Sequence, residues 1–145
     1  MKPIGYWLNR TDHAFTAHMD LMLAEFGLTR ICWQVLNVVA DTAEATDTDI
    51  HTVLAANAER AVLDAAIATA LAGHWTTRPA PGSIALTDDG RHRLTQVGDR
   101  VATFRTLSMH GITEDEYRTA VSVLERMTHN IETGVGCPEV LSAGL

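Results

Sequence analysis

The stretch TDTDIHTVLAANAERAVLDAAIATALAGHWTTRPAPGSIALT, residues 46–87, changes its pattern three times. Thr46 with Asp49 three positions on has the spacing of a capping pair, so a helix starts there. It is short, because Ile50, Val53 and Leu54 are its only large apolar residues, and Asn57 breaks it or caps the next. From Ala58 to Ala72 the chain is alanine-rich, with Val62, Leu63, Ile67, Ala70 and Leu71 on one face and Gly73 as a C-terminal stop. His74 to Arg78 and Ser83 to Leu86 then read as two short extended segments around Pro79, Ala80, Pro81 and Gly82, a small hairpin.

Long helices flank this unit on both sides. Ile4, Trp7, Leu8, Phe15, Met19, Met22, Leu23 and Phe26 recur at three- and four-residue steps along a first helix that Gly27 ends. That helix exceeds what a small core needs, so part of its stripe is expected to meet something outside the monomer. Leu28 to Ala40 forms a second helix, with Leu28, Ile31, Cys32, Val35, Leu36 and Val39 in register and Trp33 beside them. Thr87, Asp88 and Asp89 start a fifth, whose face is Leu94, Val97, Val101, Phe104 and Leu107 before Gly111 interrupts it. Thr113 and Glu116 box the start of a sixth carrying Tyr117, Ala120, Val121, Leu124, Met127 and Ile131, after which the chain frays.

Two short helices, a hairpin and long helices before and after are the order of a winged helix-turn-helix. PIGYWLNRTD (3–12), EFGLTRICWQVLN (25–37), LAGHW (71–75) and LTDDGRHRL (86–94) resemble the MarR family of transcriptional regulators over roughly residues 4–131. Each motif is weak alone; four in the right order are not. The resemblance implies a mainly α fold with a small β-hairpin wing and long dimerisation helices at about 4–26 and 88–131. It also implies a winged core at about 28–90, in a single domain over 1–133 with a flexible tail at 134–145. In that family the first, fifth and sixth helices build a two-fold homodimer, the fourth enters the DNA major groove and the wing follows the neighbouring backbone. Many members release DNA when a small molecule binds between the two parts.

The charge distribution complicates that expectation. The chain carries 11 Lys and Arg against 18 Asp and Glu, a net charge of −7, and residues 41–75 alone hold Arg60 against six carboxylates. A duplex is bound by cations set against phosphates, and acids on the reading helix repel it. His51, Thr52, Asn57 and Arg60 are the candidates for base edges or phosphates, Arg78 for a wing phosphate, and Arg91 and Arg93 open the fifth helix. Arg60 has a competing role as a solvated charge paired with Glu59 or Asp64, and Arg91 and Arg93 as a solvated helix face. The family's acidic residue and arginines near the wing tip are replaced here by TTRPAPGS. The alternative is therefore a MarR-like scaffold that has lost DNA binding and acts as a ligand-binding, partner-binding or catalytic protein.

Tyr6, Trp7, His13, Trp33 and His74, with Trp75, are the candidates for a small aromatic effector, although Trp7 and Trp33 also read as core residues. His13 and His18 stand five apart, about 140° around a helix, and no HxxxH or HExxH occurs, so no metal is expected. No nucleophile and base stand at a catalytic spacing, no glycine loop cradles a phosphate, and neither an enzyme nor a cofactor is expected. Cys32 and Cys137 read as free thiols. With no membrane-length apolar run and no cleavable leader at MKPIGYWLNR, the expected compartment is the cytoplasm.

Overall fold

A computed structural model describes residues 1–134; Cys137 and the expected tail beyond Gly134 lie outside them. The elements are α1 (Ile4–Ala24), α2 (Arg30–Asp41), α3 (Asp47–Val53), α4 (Arg60–Ala72), β1 (Thr76–Thr77), β2 (Ala85–Leu86), α5 (Asp88–Ser108) and α6 (Glu114–Glu132). The two strands are antiparallel, with Thr76 opposite Leu86 and Thr77 opposite Ala85. This is the mainly α winged helix-turn-helix expected from the sequence. The chain divides into two compact units, residues 1–104 and residues from 105 onward.

In the first unit α2 supplies the centre of the core. Its start is fixed by Thr29, whose hydroxyl accepts from the Cys32 amide at 3.3 Å. Cys32, Val35, Leu36, Val38 and Val39 are buried along it, and Cys32 is a free thiol. They belong to one cluster with Met22 and Leu23 of α1, Ile50 of α3, Leu63, Ala66, Ile67 and Ala70 of α4, Trp75, Ile84, and Val97 and Val101 of α5. Burying a side chain of this size contributes about 1.5–3 kcal/mol, so the cluster decides how the short helices are held. Val62, expected on the buried face of α4, is instead 46% exposed. Leu63, Ala66, Ile67 and Ala70 form the three- and four-step row, and residue 62 falls to one side of it.

The caps of α1 and α3 follow the sequence. α1 ends with Gly27 at φ 70°, the Leu28 amide donating to Leu23 and the Gly27 amide to Ala24. Thr46 and Asp49 form a reciprocal box at α3. α4 also ends where expected, with Gly73 as its C-cap. Trp75 N–H donates to Ala70 and His74 N–H to Leu71, which puts His74, not Gly73, in the left-handed position at φ 59°. Gly73 is required for another reason: a Cβ there would stand 2.9 Å from Cδ1 of the Trp75 ring.

Trp75 is also where α5 meets the wing. The Thr87 hydroxyl donates to the His74 carbonyl at 2.7 Å and accepts from the Gly90 amide at 2.8 Å, while the Thr87 amide donates to the Trp75 carbonyl at 3.0 Å. Gly90 is buried, and a Cβ on it would overlap that same carbonyl. The LTDDG motif is therefore a close-approach device, in which threonine ties the hairpin to the helix and glycine lets the two backbones touch.

In the second unit, Thr113 and Glu116 box the start of α6 as expected, and the Thr113 amide donating to Glu116 holds that carboxyl below the ordinary glutamate range. α6 buries no residue. Its stripe leaves Tyr117, Val121, Met127 and Ile131 exposed, and in the first unit Ile4, Trp7, Leu8 and Phe15 of α1 are exposed as well. Among the described residues no helix is long and apolar enough to cross a membrane. Gly90→Ala should destabilise the protein by about 1–3 kcal/mol in urea unfolding, because the α5 backbone must retreat from Trp75. Gly98→Ala, on the same helix with no atom in the way of a Cβ, should stabilise it by about 0.5–1 kcal/mol.

Candidate nucleic-acid interface

α3 and α4 form the helix-turn-helix, and the buried row of α4 decides what remains outside. With Leu63, Ala66, Ile67 and Ala70 turned inward, Arg60, Ala61, Asp64, Ala65 and Ala68 are left exposed. These are short side chains apart from Arg60, so a groove wall could approach the helix backbone closely. The N-cap position is Glu59 and makes no side-chain cap bond, so Asn57 does not cap α4; its amide instead donates weakly to Gln34 at 3.4 Å. Arg60, in the first turn, makes no ion pair among the described residues.

The expected acidity of this unit is largely matched within the fold. Asp64 of α4 lies 2.6 Å from Nε2 of His51 on α3, so Asp64 does not pair with Arg60. Asp49 is used by the Thr46 cap, its carboxylate accepting from both the amide and the hydroxyl at 2.9 Å. Asp47 receives both terminal nitrogens of Arg78 at 2.9 Å. Half of the six carboxylates between residues 41 and 75 thus have partners, but only Asp47 is matched by an arginine.

Arg78 stands on the wing, as the sequence indicated, but it points back to α3. It also donates to the Ser83 carbonyl at 3.1 Å, and the paired carboxylate raises its pKa above the ordinary arginine value. The Asp47 amide donating to Gly82, the Ile84 amide donating to Ala45 and a bridge between Thr46 and Ser83 run beside this pair. The hairpin is therefore stitched to the start of α3. Arg93 is engaged as well: its guanidinium lies 4.0 Å from the centre of the Trp75 ring, donates to the Gly73 carbonyl at 2.8 Å and pairs with Asp89 at 2.9 Å. Arg91 and Thr52 are exposed, and Arg91 makes no ion pair among the described residues. Sequence reasoning missed Asp47 and Trp75, which hold two of its candidate cations; no local pattern marks a pair 31 residues apart.

The five effector candidates are not gathered by the described residues into one site. Tyr6 and Trp7 lie edge to face at 5.1 Å on the exposed N-terminal half of α1, where Tyr6 also accepts from Arg10 at 2.9 Å. Trp7 is 52% exposed and so is not a core residue among the described ones; residues 4–13 of α1 are exposed throughout. His13 is exposed on the same helix, Trp33 is half-buried against the core, and His74 is exposed at the end of α4. Among the described residues no three His, Cys, Asp or Glu side chains come together as a metal site.

Two short helices stitched to a two-stranded wing, with long helices before and after them, make the fold a winged helix-turn-helix. No family model and no curated protein matches the sequence. Solved structures do match in fold. The reduced form of MarR from E. coli is 18% identical, with 88% of this chain and 94% of that chain covered and a TM-score of 0.69. A MarR family protein of Mycobacterium tuberculosis in complex with DNA is 17% identical, with 88% and 98% covered and a TM-score of 0.70. BpsR of Bordetella bronchiseptica, whose DNA binding is regulated by 6-hydroxynicotinic acid, is 19% identical, with 88% and 94% covered and a TM-score of 0.68.

A double-mutant cycle with Arg78→Ala and Asp47→Ala should give a coupling of about 0.5–1 kcal/mol in unfolding free energy, the partial exposure of both groups keeping it small. Zero coupling would mean that the wing is held by its backbone bonds alone.

Proposed function

We propose that this protein is a DNA-binding transcriptional regulator, a repressor that acts as a homodimer in the cytoplasm and leaves its operator when a small aromatic ligand binds. The observation that carries the reading is the outer face of α4. It begins at a helix end with no side-chain cap, offers Arg60 in the first turn, and continues in alanines small enough for close approach to bases and for contact with thymine methyls. Arg78 offsets the charge of Asp47, while Asp49 and Asp64 are held in fixed contacts with Thr46 and His51. Catalysis has no part in this reading, and the similar structures are transcriptional regulators.

Arg60, Thr52 and Asn57 are assigned to the groove and Arg91 to a flanking phosphate. His51, Arg78 and Arg93 act by shaping the reading unit. The effector is assigned to Tyr6, Trp7, His13, Trp33 and His74, brought together by a second subunit. A second reading, a scaffold without DNA binding that serves a ligand, a partner or a reaction, is favoured by one observation: the wing's cation is already committed to Asp47.

Gel shifts with the DNA upstream of its own gene, across a salt series, separate the two. Arg91 from two subunits neutralises about two phosphates, so log K against log salt should fall with a shallow slope of about −2. Arg60→Ala should cost about 1–3 kcal/mol and relax base preference at one position of each half-site. No shift even at low salt would establish the second reading. The dimer has its own test in sedimentation: Met127→Asp with Ile131→Asp, on the uncovered stripe of α6, should convert a two-subunit species to a monomer, and a monomeric wild type would refute it.

A further inference from the structure

The outer face of α4 carries two charged side chains, Arg60 and Asp64, one turn apart and both exposed. Arg60 is assigned to the groove, but that assignment leaves Asp64 as an anion on a surface that the regulatory reading turns toward phosphates. Two observations fit this carboxylate to a base edge. First, it is held in place: Oδ1 lies 2.6 Å from Nε2 of the half-buried His51 ring on α3. The Asp64 side chain nevertheless stays 55% exposed, and Oδ2 has no partner among the described residues. Second, its neighbours on the same face are Ala61, Ala65 and Ala68, small enough for a short side chain to reach the floor of the groove.

We infer that Asp64 reads a cytosine, its free oxygen accepting from the N4 amino group in the major groove. Cytosine is the one base whose own edge there offers a donor and no acceptor. Adenine sets N7 beside its N6 amino group, and guanine and thymine present O6, N7 and O4, all of which repel a carboxylate. Selection therefore comes mainly from rejecting the other three bases. His51 is a positioning residue: by holding Oδ1 it fixes the Asp64 side chain, so less freedom is lost on binding. The inference rests on the regulatory reading and adds a second base contact to it. Four helical residues rise about 6 Å, close to two base steps of about 3.4 Å, which sets the cytosine about two steps from the base that Arg60 contacts. The same carboxylate also repels phosphates, so Asp64 exchanges general affinity for selectivity.

Selection from a pool of randomised duplexes by the full chain, followed by sequencing, tests the assignment. The wild type should retain cytosine at one position of each half-site over the other bases by about fivefold or more, the lower end of the cost of a mismatch. Asp64→Asn should exchange that preference for adenine, because a carboxamide pairs with N6 and N7, and leave the other positions unchanged. Asp64→Ala should lose the preference while binding mixed-sequence duplex at least as tightly as the wild type, and Arg60→Ala should leave it in place. His51→Ala should weaken it, and His51→Gln, which can still donate to Oδ1, should restore it. A purely structural link between α3 and α4 would lower thermal stability in these variants and move no base preference. Folded Asp64→Asn and Asp64→Ala that select the same sequences as the wild type would overturn the inference and leave the regulatory reading standing. A wild type that retains no duplex from the pool would refute the regulatory reading, and this inference with it.

Discussion

A helix backbone can rest directly on another segment's carbonyl only where no Cβ intervenes, and in this protein that requirement falls on Gly90 against Trp75, the residue before β1. The contact sets the angle at which α5 leaves the wing. It also fixes Trp75, whose ring excludes a side chain at position 73 and supports the Arg93 guanidinium. Thr87 closes the arrangement by bonding to both sides of it. Because the core of the first unit includes Trp75, Val97 and α4 together, a shift at this one carbonyl would move the reading helix, the wing and α5 in concert.

The second constraint is electrostatic. A count of charges makes the reading unit hostile to DNA, but pairing matters more than the count. The Arg78 fork on Asp47 neutralises a carboxylate at the start of α3, His51 shares Asp64 across the helix-turn-helix, and the α3 cap uses Asp49. These contacts tie the wing to α3 and α3 to α4, and they commit Arg78 to a carboxylate. On the proposed DNA-binding reading, shape and a few base contacts would carry the affinity, with long-range attraction contributing less than in a basic DNA binder.

Much of the fold was legible because its signals are local. Thr46 with Asp49 and Thr113 with Glu116 marked helix starts that the structure reproduces, and the 63, 67, 70 row of α4 gave its buried side. What failed was non-local. Gly73 does stop α4 as read, but the reason is the Trp75 ring its missing Cβ admits, and His74 takes the left-handed position. Val62 sits next to an apolar position without sharing its face, and Trp7 looked like a core residue although its half of α1 is exposed among the described residues. In the candidate interface, Arg60 and Thr52 could be named from position alone. The commitment of Arg78 to Asp47 could not, since it depends on how a hairpin folds back over a helix 31 residues away.

Amide chemical-shift mapping of the full chain with a duplex from its upstream region reports which face meets the nucleic acid. Large shifts should cluster at Arg60 to Ala68, Thr52 and Arg91, with Leu63, Ile67 and the α6 stripe unmoved. Shifts confined to α6 or the first half of α1, or an unperturbed α4 at saturating duplex, would contradict a groove-reading role for this helix.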